Sequence, residues 1–282
     1  MKKETVGLEA LRMKTRVISA IIALPLVIIP IFLGGAIFYL VMFIAALIGL
    51  FEFNRAFKVI NKDFYVMQIV SVIMLYGVMW FKLDSFYFSS GVLLLMMSFM
   101  YYVIKYPKSE LKEIFYTLIG FYYIPLMLSH IILVRQFETY GSLMVWMIFI
   151  ISFGSDSFAY FVGRTFGKHK LAKELSPKKT VEGAIGGILG AAALSVVYAS
   201  YIATTGIEFH MMHYVGFAVM GAVGSIFGQF GDMSASAMKR VTGIKDFGNF
   251  LPGHGGIVDR LDSIIFVAPF VYYALLFILK GF

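Results

Sequence analysis

The sequence has no cysteine and little charge. Without cysteine there are no disulfides, no thiolate zinc sites and no thiol nucleophiles. Charged residues are only 14% of the 282, against roughly 25% in soluble proteins. The histidines, at 130, 169, 210, 213 and 254, are too scattered to form a zinc set. Long polar stretches are also scarce. The two longest, near 164–181 and 239–258, leave no room for a soluble domain.

What is present is apolar. Hydrophobic residues make up 60% of the chain and mean hydropathy is +0.85. A membrane-spanning helix needs about 20 mostly apolar residues. Nine segments meet that need, at 16–34, 36–52, 64–82, 86–104, 113–134, 142–163, 182–204, 213–238 and 259–279. Gly34-Gly35 is the expected turn between the first two, and Pro25 and Pro30 are expected to bend the first. With the N-terminus in the cytoplasm, 21 of the 24 Lys and Arg fall on the cytoplasmic side, leaving only Lys82, Arg135 and Lys280 outside. That bias explains the net charge of +8 without invoking nucleic acid. The basic N-terminal arm lacks a small-residue cleavage site, so it does not read as a signal peptide. Residues 6–17 suit either an interfacial helix or a basic tail.

The expected fold is therefore an all-α, polytopic transmembrane helical bundle of about nine helices. It is read as one continuous membrane domain, with an N-terminal membrane-spanning region at 1–140 and a C-terminal membrane-spanning region at 141–282, which holds both long polar stretches and is expected to carry any catalytic chemistry.

Acids inside apolar segments are costly and usually face a polar cavity or a partner. Asp156 lies within the sixth span and Asp232 near the cytoplasmic end of the eighth. Asp246 is in the eighth loop. Asp259 and Asp262 are three apart and share a face of the ninth helix. Hard cations take such oxygen ligands together with substrate phosphates. Lys178, Lys179, Lys239, Arg240, Lys245 and Arg260 are interleaved with these acids and suit phosphate oxygens. Helix-end electrostatics alone accounts for Asp259, Asp262, Lys239 and Arg240, but not for Asp156 and Asp232. Thr180 is a plausible N-cap for the seventh helix, and with Lys178 and Lys179 before it that helix start is an anion site. In PGHGG, 252–256, glycines permit close backbone approach, and His254 is placed either to donate to a phosphate or to sit in water. Gly183 and Gly187, Gly186 and Gly190, and Gly224 and Gly228 have GxxxG spacing. Such spacing serves close helix packing within the chain, or a homodimer seam.

The stretch SAMKRVTGIKDFGNFLPGHGGIVDRLD, 236–262, resembles the signature of the CDP-diacylglycerol synthases, or phosphatidate cytidylyltransferases. Its fixed positions are filled by Ser236, Lys239, Arg240, Lys245, Asp246, Pro252, His254, Gly255, Gly256, Asp259, Arg260 and Asp262. SDSFAYFVGRTFGKHKLAKELSPKKTVEG, 155–183, is similar to the family's second polar region, with Ser155 where the family often has Asn. The N-terminal half agrees mainly in being membrane-spanning.

The resemblance implies that CTP and phosphatidate give CDP-diacylglycerol and pyrophosphate, at a site in the cell membrane that opens to the cytoplasm. It implies Mg²⁺, and a second cation is compatible with it. Asp232 and Asp246 are the expected metal ligands, with Asp259 a third candidate. Asp246, Lys239, Arg240, Lys245 and Arg260 form the expected catalytic set, the cations holding the triphosphate or the lipid phosphate. Ser176, Lys178, Lys179 and Thr180 form a second anion site. Ser236, His254, Asp156 and Asp262 are expected near substrate, with Asp262 orienting Arg260 or a metal ligand. Two rivals are weighed. Another membrane enzyme acting on lipid diphosphates would need further Asp-rich motifs, which are absent. A cation transporter would need polar residues along the depth of several helices, whereas here they gather toward one side.

Overall fold

A computed structural model describes residues 28–59, 61–138, 140–207, 209–250 and 255–278, together with Pro25. Most of the first expected span, the segment 6–17 and His254 lie outside the described residues. Residues 28–33 are helical, and the helix breaks at Gly34, where φ is +64°.

Hydrocarbon offers no water to backbone N–H and C=O groups, so apolar runs must satisfy them internally. From Gly35 on, the described runs do so as eight helices: α1 (Gly35–Ala56), α2 (Lys62–Trp80), α3 (Ser89–Lys105), α4 (Leu111–Arg135), α5 (Gly141–Phe166), α6 (Val181–Ala203), α7 (Met211–Thr242) and α8 (Val258–Ile278). All but α3 are long and apolar enough to cross a membrane, and α3 is an apolar helix of 17 residues. Local chemistry sets several starts. Asn61 Oδ1 accepts the Asp63 N–H at 3.0 Å ahead of α2. Glu110 and Glu113 form a reciprocal capping box on α4. Pro125 cannot donate an N–H, and α4 absorbs that loss in a π-helical turn, Tyr122–Leu126. Among the described residues the fold is all-α apart from one small hairpin between α5 and α6. Its strands, β1 (Lys170–Ala172) and β2 (Ser176–Thr180), pair antiparallel with Lys170 opposite Thr180.

The chain divides into two compact units that interleave in sequence, Met1–Leu126 with Thr242–Arg260, and Met127–Val241 with Leu261–Phe282. In the first unit α1, α2 and the start of α4 pack together, and Phe53, Phe64 and Phe121 are fully buried. A polar chain crosses that core. Asn54 Nδ2 donates to Gln68 Oε1 at 2.7 Å, and Gln68 Nε2 donates to the Thr117 carbonyl at 2.8 Å. In the second unit α5 lies against α6 along a strip of glycines. A Cβ on Gly187 would stand 2.9 Å from the Ser155 carbonyl oxygen, and one on Gly183 would stand 2.7 Å from that of Ala159. Gly224 faces Ile151 and Phe270, and Gly228 faces Val267. The GxxxG pairs are thus filled within the unit, as small residues at helix crossings commonly are. Ser155 Oγ and Ser225 Oγ, 2.7 Å apart, add a buried link between α5 and α7.

Gly187→Val should destabilise the α5–α6 contact by about 1–3 kcal/mol, the usual range for overpacking. Gly77, mid-helix in α2, has nothing within 4 Å of where a Cβ would be. Gly77→Ala should be neutral, or stabilising by up to about 1 kcal/mol. Thermal unfolding of both variants in detergent, against the parent, checks the contrast.

Candidate active site

In the first unit, Gly243 at φ +70° ends the run of α7 and turns the chain toward α8. The loop that follows is tied down by side chains from both sides. From α1, Glu52 reaches in; it is only 3% exposed. Its Oε1 accepts the Ile257 N–H at 3.1 Å and its Oε2 the Val258 N–H at 3.0 Å. These donors open α8, where helix geometry leaves N–H groups without carbonyl partners. Gly248 and Gly256 line the same carboxylate, and a Cβ on either would run into it. One turn on, Arg55 Nη2 donates to the Phe247 carbonyl at 2.7 Å.

From α8, the Oδ2 of Asp259 accepts the Phe247 N–H at 2.7 Å and the Gly256 N–H at 3.0 Å. Asp246 precedes Phe247 and is exposed. Its carboxylate and that of Asp259 converge on Gly255. A Cβ there would lie 3.0 Å from Asp259 Oδ2 and 3.3 Å from Asp246 Oδ1. Gly255 also has φ +83°, a conformation that favours a residue without Cβ. Lys245 and Arg260 are exposed in this unit.

In the second unit, α5, α7 and α8 bring three more carboxylates together. Asp156, Asp232 and Asp262 lie within each other's electrostatic reach. Lys179, at the end of β2, pairs with Asp232 at 2.5 Å, and both side chains are about three-quarters covered. Lys239 lies within the field of Asp262. Ser236 Oγ is 3.5 Å from Asp232 Oδ1, one helical turn away on α7. The Oδ1 of Asp262 accepts the N–H of its neighbour Ser263 at 2.8 Å, and the side chain of Ser263 hydrogen-bonds Asp156. Arg240 and Lys178 are exposed, and Ser176 is half-buried on β2. Among the described residues, no three His, Asp or Glu side chains already close on a single ion.

Thr180 occupies the expected capping position. Its hydroxyl accepts the Gly183 N–H at 3.1 Å, and the residue is buried. The hairpin ahead of it is held from α6. The Glu182 carboxylate accepts the N–H groups of Lys168, at 3.1 Å, and His169, at 3.2 Å, and contacts His169 Nδ1 at 2.6 Å. Lys178 and Lys179 therefore stand on an anchored strand.

Sequence reasoning overlooked Glu52, Arg55 and Glu182. The signal for Glu52 was present, because it is an acid inside an apolar span, as Asp156 is. Arg55 counted only as one more cytoplasmic cation. The segment that fixes both residues lies about 200 positions later, and apolar periodicity does not reveal such pairings.

Residues 14–278 match the Cytidylyltransferase family. The chain belongs to that family. It is 31% identical over 272 residues to a phosphatidate cytidylyltransferase of Bacillus subtilis, covering 93% of this chain and 97% of that one. It is 34% identical over 267 residues to a protein of the same name from Staphylococcus haemolyticus, covering 91% and 96%. A Thermotoga maritima protein of that name is 31% identical over 275 residues, covering 95% and 98%. The similarity includes the N-terminal half of the chain, where Glu52 and Arg55 lie.

Thr180→Val keeps the branched shape and loses the capping oxygen. It should cost about 1 kcal/mol, read as a lower unfolding midpoint with the membrane fraction unchanged.

Proposed function

We propose that this chain is a phosphatidate cytidylyltransferase of the cell membrane. It joins the cytidylyl group of CTP to phosphatidate, giving CDP-diacylglycerol and pyrophosphate, at a site open to the cytoplasm. One observation carries the reading. Asp156, Asp232 and Asp262 gather with Lys179 and Lys239 toward one end of apolar helices, in a chain matched almost end to end by proteins of that name. The distribution of Lys and Arg supports a cytoplasmic opening.

The chemistry explains why both signs of charge are needed. A phosphatidate oxygen is already anionic, so attack on the α-phosphorus of CTP needs no strong base. A new P–O bond forms as the bond to the bridging oxygen of the β-phosphate breaks. The electron pair leaves with pyrophosphate. The obstacle is repulsion between two polyanions, and the remedy is charge neutralisation with alignment. Lys178, Lys179, Lys239, Arg240, Lys245 and Arg260 are assigned to phosphate oxygens. Lys179 is held in place by Asp232 and by the anchored hairpin. Ser236 buttresses Asp232 from the next turn of α7.

The donor set fits a hard divalent cation. It is all oxygen, with three neighbouring carboxylates in the second unit beside Lys179 and Lys239. Asp232, with Asp156 and Asp262 beside it, would hold such an ion in that unit, and Asp246 with Asp259 is the corresponding pair of the first. Bound Mg²⁺ would supply neutralisation of phosphate charge and polarisation of the phosphoryl group.

Purified protein given labelled CTP, phosphatidate and Mg²⁺ should yield CDP-diacylglycerol and pyrophosphate, and EDTA should stop it. Asp232→Asn and Asp246→Asn should each lower turnover by about 100-fold or more, the scale for losing a transition-state electrostatic group, while the protein still inserts and purifies. Near-normal turnover in both variants would remove their metal assignment, and cation flux without any need for CTP would favour transport instead.

A further inference from the structure

We infer that Glu52 and Arg55 of α1 are positioning residues for the reaction, acting through the loop that carries Asp246. The inference rests on the cytidylyl-transfer reading and extends it to the half of the chain in which the sequence shows no motif.

The geometry is specific. Glu52 uses both carboxylate oxygens, one on the Ile257 N–H and the other on the Val258 N–H. This caps α8 with a side chain from a helix 205 residues earlier. The same carboxylate fills the space left by the missing Cβ atoms of Gly248 and Gly256. The two ends of the loop therefore close on one anion. Arg55 takes the carbonyl of Phe247 at 2.7 Å, and Asp259 takes the N–H of the same residue at 2.7 Å. The residue after Asp246 is thus held at both backbone polar groups, which fixes where Asp246 departs from the loop. Glu52 is buried and Arg55 is directed at backbone, so neither is assigned to substrate. They work as outer-shell groups do around a reactive or metal-binding carboxylate, by setting its orientation.

Two variants separate positioning from general support. Glu52→Gln replaces one acceptor oxygen by an NH₂ that meets a backbone N–H donor to donor. Arg55→Met keeps length and loses the donor, at an exposed position where folding should survive. Each should insert, purify as one species, and lose about 10–100-fold in kcat, the usual scale for outer-shell partners. The Mg²⁺ concentration for half-maximal rate should rise as well. Hydrogen–deuterium exchange gives a readout independent of turnover. In both variants, amides in 243–250 and 255–260 should exchange faster, while those of α5 and α6 keep the parent rates. Lys62→Ala, at the exposed start of α2, should match the parent throughout.

Parent-like turnover and exchange in Arg55→Met would overturn the inference even if Glu52→Gln failed to fold. So would faster exchange spread evenly over the chain with kcat per folded molecule unchanged, because that describes support of the fold alone. If the parent itself transfers no cytidylyl group, the proposed function fails, and the exchange experiment still decides whether Glu52 and Arg55 hold the loop.

Discussion

A charged group at the edge of a hydrocarbon slab must be answered nearby by donors or by opposite charge, because lipid answers neither. The described acids of the two units follow that constraint in different ways. Glu52 and Asp259 are answered by backbone N–H groups, Asp232 by Lys179, and Asp262 by the N–H of Ser263. For Glu52, Asp259 and Asp232 the answering group comes from another segment, a helix start, a glycine-lined loop or a strand; for Asp262 it is the next residue of its own helix. Neutralising the acids and assembling the site are therefore one problem with one solution.

Glycine supplies the other half of that solution. Along α6 it lets α5 approach closely, and on α7 Gly224 gives room to Ile151 of α5. In the loop before α8 it does something else. Gly248 and Gly256 make room for the head of Glu52, and Gly255 makes room for two carboxylates. A chain in which every span is greasy can still place charge accurately, because the positions that carry no side chain decide where charge fits.

Much of this was legible in the sequence. Eight of the nine apolar segments correspond to described helices, since a period-independent apolar run is sufficient signal in lipid. The break at Gly34 and the cap at Thr180 were readable from local chemistry, because their causes lie within three or four residues. Asp156 and Asp232 stood out as acids in apolar surroundings. The hairpin at 170–180 was not readable, because its strands do not alternate and it depends on Glu182, a residue of the following helix. Glu52 and Arg55 escaped for a related reason: the groups that explain them are backbone atoms near 247 and 257, and backbone atoms leave no mark in a sequence. The 32 residues of α7 are more than a bilayer core of about 30 Å requires at 1.5 Å per residue. Asp232, Ser236 and Lys239 lie in its last three turns, of which the segment read at 213–238 had included Asp232 and Ser236.

The span of 205 residues between Glu52 and the amide of Ile257 has a consequence for biosynthesis. A ribosome adding about 5–20 residues per second delivers Glu52 to the membrane on the order of ten to forty seconds before its partners exist. Through that interval the carboxylate has to be kept by water at the interface, by a proton, or by the insertion machinery. The first four helices can enter the bilayer in order, but their unit is completed only when nearly the whole chain has been made.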